Sequence, residues 1–266
     1  MDTRDSSTRG LATFLTIACG GAWGVWGLAY LFGMLNTGPA GQAIVTVGAF
    51  APALAAVARR AAHEDFAAAG LRPNLRRGWT AYALAWLLPL PVVGAIVSLA
   101  AALGIHPGGA GLPAALVPGT LLAALVSTPL FWGEKFGWRG YLQPRLGGDR
   151  PLPAAIGTGL LWGVSHYPLI LAGFEGYKDR VLGLAIFPVS TFLLSVIFGW
   201  LRMRGGSIWP PCIAHAATNA VGGGHFALTS YMGVLGWVPL GVVCVAVTVA
   251  GRRAVAPTSA LRPAPR

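Results

Sequence analysis

Eight stretches of this chain are apolar over roughly the length that a helix needs to cross a lipid bilayer, and that feature excludes most architectures. They run over 11–35, 41–58, 79–105, 112–132, 152–172, 181–201, 207–222 and 231–250. A helix must be about 20 residues long to span the hydrocarbon core, and only the seventh run is clearly short. Within that core every backbone amide must be satisfied internally, which leaves helices and closed barrels. The runs are continuously apolar rather than alternating, so helices are expected. Charged residues make up 10% of the chain, against about 25% in an ordinary soluble domain. The expected fold is therefore all-α, a polytopic transmembrane bundle of about eight spans. It occupies 1–254 as one unit, followed by a disordered Pro-, Ala- and Arg-rich cytoplasmic tail over 255–266.

The basic residues orient the bundle. With the N-terminus inside, the cytoplasmic gaps hold Arg4 and Arg9; Arg59, Arg60, Arg72, Arg76 and Arg77; Lys135, Arg139, Arg145 and Arg150; Arg202 and Arg204; and the four C-terminal arginines. Only Lys178 and Arg180 fall on the other side, balanced by Glu175 and Asp179. Such a split is the positive-inside pattern, with both termini cytoplasmic. It also accounts for the net charge of +11 without nucleic acid, because the cations lie in gaps between spans rather than on one basic face. Cys19, Cys212 and Cys244 all lie in apolar runs, and an odd, unpaired set is no disulfide framework. High Ala, Gly and Arg with little Lys points to a GC-rich bacterial source, hence a bacterial cytoplasmic membrane.

Ionisable residues inside spans are costly, rare and usually functional. Glu134 ends span four, His166 lies in span five, and His215 and Asn219 lie in span seven. His215 and Asn219 are four residues apart and share one helical face, as do Trp162 and His166. A carboxylate and an imidazole suit activation of a water; a second imidazole and an amide suit donation to an oxyanion. Their bland alternative is interhelical hydrogen bonding. The polar stretch 134–150 reads as the end of span four bending into an amphipathic segment at the interface. His63, Glu64 and Asp65 read as solvated loop, and His106 and His225 are assigned no role.

Three stretches carry a specific resemblance: Glu134-Lys135-Phe136-Gly137-Trp138-Arg139, Trp162-Gly163-Val164-Ser165-His166 and His215-Ala216-Ala217-Thr218-Asn219. In order, spacing and membrane setting they resemble the E-E-x-x-x-R, aromatic-x-x-x-H and H-x-x-x-N motifs of the CAAX protease and bacteriocin-processing (CPBP) family of intramembrane proteases. The resemblance implies that Glu134, with His166, is general base on the attacking water, and that His215 and Asn219 stabilise the oxyanion. Lys135, Arg139 and Trp162 would support the motifs. The implied substrate is a prenylated or membrane-bound peptide, with membrane lipid around it. No metal is expected; were zinc bound, Glu134, His166 and His215 would be the ligands.

Lys135 breaks the pattern, since the family has a second glutamate there. In an α-helix that glutamate would pair with Arg139 one turn on, whereas Lys135 makes a like-charge contact and sets a cation beside Glu134. Three readings stand open. Lys135 snorkels to the interface and leaves a working protease; the protein is an inactive immunity or scaffold relative; or the cavity converts an isoprenoid lipid, such as a prenyl diphosphate.

Overall fold

The computed structural model describes residues 3–63, 66–105, 114–146, 150–222 and 233–255. Glu64, Asp65, His106, His225 and the tail over 256–266 lie outside them. Helices α1 (Thr3–Leu31), α2 (Pro39–Ala49), α3 (Ala51–His63), α4 (Leu75–Leu87), α5 (Pro89–Ala102) and α6 (Val117–Ser127) come first. A 3-10 turn, Thr128–Phe131, then leads into α7 (Trp132–Lys135), a π-helical turn (Phe136–Leu142) and α8 (Gln143–Leu146). Helices α9 (Pro151–Ser165), α10 (Tyr167–Leu171), α11 (Arg180–Gly205), α12 (Trp209–Val221) and α13 (Val234–Val255) complete the order. Among the described residues there is no β-strand, as an all-α fold requires.

Among the described residues, five stretches are long and apolar enough to cross a membrane: Arg9–Leu31, Pro39–Arg59, Leu75–Ala102, Arg180–Gly205 and Val234–Gly251. The second and third are each built from two helices, α2–α3 and α4–α5. Proline explains these joints, because it removes a backbone donor and crowds the preceding turn. Pro52 follows the α2–α3 junction, and Pro89 opens α5. The other three apolar runs are interrupted or short helices, α6 with its 3-10 extension, α9–α10 and α12. These are the segments that carry the motif residues.

The bundle is apolar outside and selectively polar inside. Phe32 is 76% exposed and Val126 74%, while Leu54, Leu122, Val181, Val242 and Val245 are also exposed. Such a surface matches lipid rather than water as its solvent. Inside, small residues let helices approach closely, as in membrane bundles. The tightest example is α9 against α11. A Cβ on Gly159 would lie 2.4 Å from Phe192 Cα, and one on Gly163 would lie 2.5 Å from Thr191 Oγ1. This Gly-x-x-x-Gly face brings Trp162 and His166 against α11. Elsewhere α1 packs on α2 and α3, α12 on α4 and α6, and α13 on α11 and α5.

Candidate active site

The site forms where helices break. Helix α9 ends at Ser165, with His166 as its C-cap residue, and Pro168 has no N–H with which to continue the ladder. The His166 amide donates to Gly163 O at 3.1 Å, so Trp162 O is freed from its usual partner. Ser165 Oγ donates to that carbonyl at 2.6 Å, and His166 Nδ1 lies 2.9 Å from it. A carbonyl only accepts, so Nδ1 carries the proton and Nε2 keeps its lone pair. From the other side, Trp23 of α1 donates its indole N–H to Ser165 O at 2.9 Å, securing the break.

His166 Nε2 then faces Glu134 Oε1 at 3.7 Å. Glu134 is buried, and its Oε1 accepts from Trp162 Nε1 at 2.9 Å. Its Oε2 accepts from Lys135 Nζ at 3.2 Å. Lys135 Nζ also lies 2.7 Å from His215 Nδ1. His215 Nδ1 is itself 3.2 Å from Glu134 Oε2. An ammonium group only donates, so the shorter contact makes Nδ1 an acceptor and leaves the proton on His215 Nε2. The contact between Nδ1 and Glu134 is then bridged by the ammonium rather than by a proton of the ring. Glu134, His166 and His215 thus come together from three elements. Asn219 is half-buried one turn beyond His215 on α12.

Aromatic rings wall this cluster. The His166 ring packs on Trp26 and Phe187 (centroids 5.5 and 5.3 Å), and the His215 ring on Phe131 and Trp162 (4.3 and 5.3 Å). The sequence reading singled out Trp162 but missed Trp26, Phe131, Phe187 and Phe198. One signal was present: Phe187 and Phe198 are eleven residues apart on α11, three helical turns, and so share a face.

Three expectations are corrected. Lys135 does not snorkel to the interface. It and Arg139 are both 0% exposed, since α7 is enclosed by α3 and α12 and the π-helical turn packs against α3, α9 and α1. For the same reason the stretch 133–143 is enclosed rather than spread as an amphipathic segment on the interface. Nor are Lys135 and Arg139 separated by one regular α-helical turn, because the π-helical turn begins at Phe136. Such wide turns recur at functional sites. Both cations instead face the Trp162 ring, Lys135 Nζ at 4.3 Å and Arg139 Cζ at 4.8 Å from its centroid.

The Lys135 ammonium also decides the fit of a metal. Zinc needs its nitrogen and oxygen ligands at about 2.0–2.2 Å. The space shared by Glu134 Oε2 and His215 Nδ1 is already bridged by a fixed cation hydrogen-bonded to both. Among the described residues no group of three His, Cys, Asp or Glu is arranged to hold a metal ion. The set Glu134, His166 and His215 does not fit zinc. Outside the spans, the half-buried Glu175 precedes α11. Burial raises its carboxyl above the usual carboxylate range; His166 opposes this and Glu134 adds to it. Burial, and then Glu175, likewise raise the phenol of Tyr177.

Residues 114–221 match the family model described as type II CAAX prenyl endopeptidase, Rce1-like. The matched stretch contains Glu134, Lys135, Arg139, Trp162, His166, His215 and Asn219, so the resemblance drawn from the three motifs is borne out across it. No curated protein matches the chain. The family and the apolar helices together make this an integral membrane protein.

Proposed function

Because the stretch 114–221 is of the type II CAAX prenyl endopeptidase, Rce1-like, family, we propose that this protein is an intramembrane endopeptidase-like hydrolase acting on a prenylated or membrane-bound peptide. The single observation carrying the reading is the pair His166 Nε2 and Glu134 Oε1, two acceptors facing one another at 3.7 Å. A water between them would donate a hydrogen bond to each, which is the arrangement that general-base removal of its proton needs. As the water attacks the scissile carbonyl, its proton passes to the Glu134–His166 pair, which delivers it to the leaving amine. His215 donates from Nε2, and Asn219 from its amide, to the oxyanion of the tetrahedral intermediate. Around this centre we place eight crossings with both termini in the cytoplasm, residues 1–254 acting as one unit, in a bacterial cytoplasmic membrane. The charge split between the gaps supports that orientation.

A second reading has its own observation. Lys135 lies in the polar centre, where the family has a carboxylate, and this favours a relative that has lost proteolysis or converts an isoprenoid lipid such as a prenyl diphosphate. Purified protein incubated with prenylated peptides, and separately with prenyl diphosphates, distinguishes them by mass spectrometry of the products. Peptide cleavage lost in Glu134→Gln and His166→Ala, both still eluting as folded protein, supports the hydrolase. Turnover of the diphosphate alone sinks it, and full cleavage by both variants removes the mechanism.

A further inference from the structure

Helices α4 and α11 meet at a pair of glycines, and the meeting gathers arginines from both. A Cβ on Gly78 would lie 2.9 Å from Gly205 O, and Asn74 Nδ2 donates to that same carbonyl at 3.1 Å. The crossing fixes where the last turn of α11 arrives. There Arg204 Nε donates to Thr80 Oγ1 at 3.2 Å, while its Cζ lies 5.4 Å from the centroid of the Trp200 ring. Thr80 follows Arg76 by four residues and Arg77 by three, so both are its neighbours on the surface of α4. A cation from α11 is thereby set beside two from α4.

Arg76, Arg77 and Arg204 are all exposed. Among the described residues Arg76 and Arg77 make no hydrogen bond or ion pair, and Arg204 engages only its Nε. Arg202, by contrast, is engaged by backbone, donating from Nη2 to Ala68 O at 3.2 Å. The stretches 66–87 and 196–214 contain no Asp or Glu. Like charges one helical turn apart repel, whereas a phosphate between them would be held by the guanidinium forks.

The location says what carries that phosphate. The three arginines lie at one end of two stretches long enough to cross a membrane, Leu75–Ala102 and Arg180–Gly205. Trp79 is exposed beside them, as indoles are at the level of lipid headgroups. Beyond Thr80 the same face of α4 continues through Ala83, Leu84 and Leu87, and both leucines are exposed. A headgroup on the arginines would therefore have an apolar stripe beneath it for its acyl chains.

We propose that Arg76, Arg77 and Arg204 form a binding site for the phosphate of an anionic phospholipid whose acyl chains lie along the face of α4 below Thr80. The site is on the outside of the bundle and is independent of the hydrolysis proposed for its centre.

Full-length protein in a neutral detergent is titrated with dioctanoyl-phosphatidylglycerol and with dioctanoyl-phosphatidylcholine, and retained lipid is counted by native mass spectrometry. Both carry a phosphate, but the choline cation cancels the charge of the second. The anionic lipid should bind about tenfold or more tightly. Arg76→Gln, Arg77→Gln and Arg204→Gln should each lower that ratio about threefold to fivefold, and the triple variant should bring it to about one. Arg76→Lys keeps the charge and should keep most of the preference. Arg150→Gln removes an exposed arginine before α9 and should leave the ratio at its wild-type value. The melting temperature of each variant reports its folding, and the single variants decide the matter if the triple one unfolds. Equal binding of the two lipids by the wild type overturns the proposal. So does a loss in Arg150→Gln as large as in the other three, which would mean diffuse attraction to a basic face. Displacement of the lipid by excess inorganic phosphate would also overturn it, since the site would then take the free ion.

Discussion

Lys135 Nζ lies 2.7 Å from His215 Nδ1, so a cation from one motif sets the tautomer of the imidazole in another, 80 residues away. The ammonium donates, Nδ1 accepts, and the ring's only N–H is left at Nε2. The position that departs from the family pattern is therefore the one that fixes what His215 can donate.

Replacing Lys135 by Met should release that tautomer. His215 Nδ1 is 3.2 Å from Glu134 Oε2 and would donate there instead, taking the proton from Nε2. Loss of one oxyanion donor costs about 10²–10³ in kcat; with Asn219 retained, a fall of about 10–100-fold in kcat with little change in KM is expected. Steady-state cleavage of a prenylated peptide measures it, and an unchanged kcat would refute the tautomer argument.

Trp162 donates its indole N–H to Glu134 Oε1 at 2.9 Å. In Trp162→Phe the ring stack survives but a buried carboxylate oxygen loses its donor. A hydrogen bond to a charged group contributes about 1.5–3 kcal/mol, so chemical or thermal unfolding in detergent should show a loss of about that size. Activity should fall about tenfold or more through the misplaced base.

Gly163→Ala addresses the backbone that carries His166. Its Cβ would fall 2.5 Å from Thr191 Oγ1 and 2.6 Å from Pro188 Cα, so α9 must withdraw from α11. Overpacking of this kind costs about 1–3 kcal/mol. The melting temperature should drop and peptidase activity with it, whereas Gly157→Ala, with Leu146 Cδ1 at an ordinary 3.5 Å, should leave both near wild type.

The seat of the Lys135 ammonium predicts metal independence. Treatment with 1,10-phenanthroline should leave turnover unchanged, and elemental analysis should find zinc well below one per chain. In Lys135→Ala the space between Glu134 and His215 opens, and zinc affinity should rise measurably. Chelator-sensitive activity in the wild type would contradict the geometry.

What the sequence determined by itself is the solvent and the chemical inventory. Long apolar runs have no stable place in water, so a helical bundle in lipid was legible. Polar and ionisable groups within such runs are costly enough that Glu134, His166, His215 and Asn219 stood out before any coordinate did. Run length alone did not reveal which segments remain whole. Among the described residues five stretches are long enough to span, while the motif-bearing ones break at Pro168 and at the π-helical turn, since broken ladders free the groups that build a site. The tertiary structure alone decided where Lys135 and Arg139 lie. Local spacing describes neighbours on one helix, but the enclosure of α7 comes from α3 and α12, far away in the chain. That enclosure turns two cations expected near an interface into buried groups, Lys135 bonded to Glu134 and His215 and Arg139 stacked on Trp162.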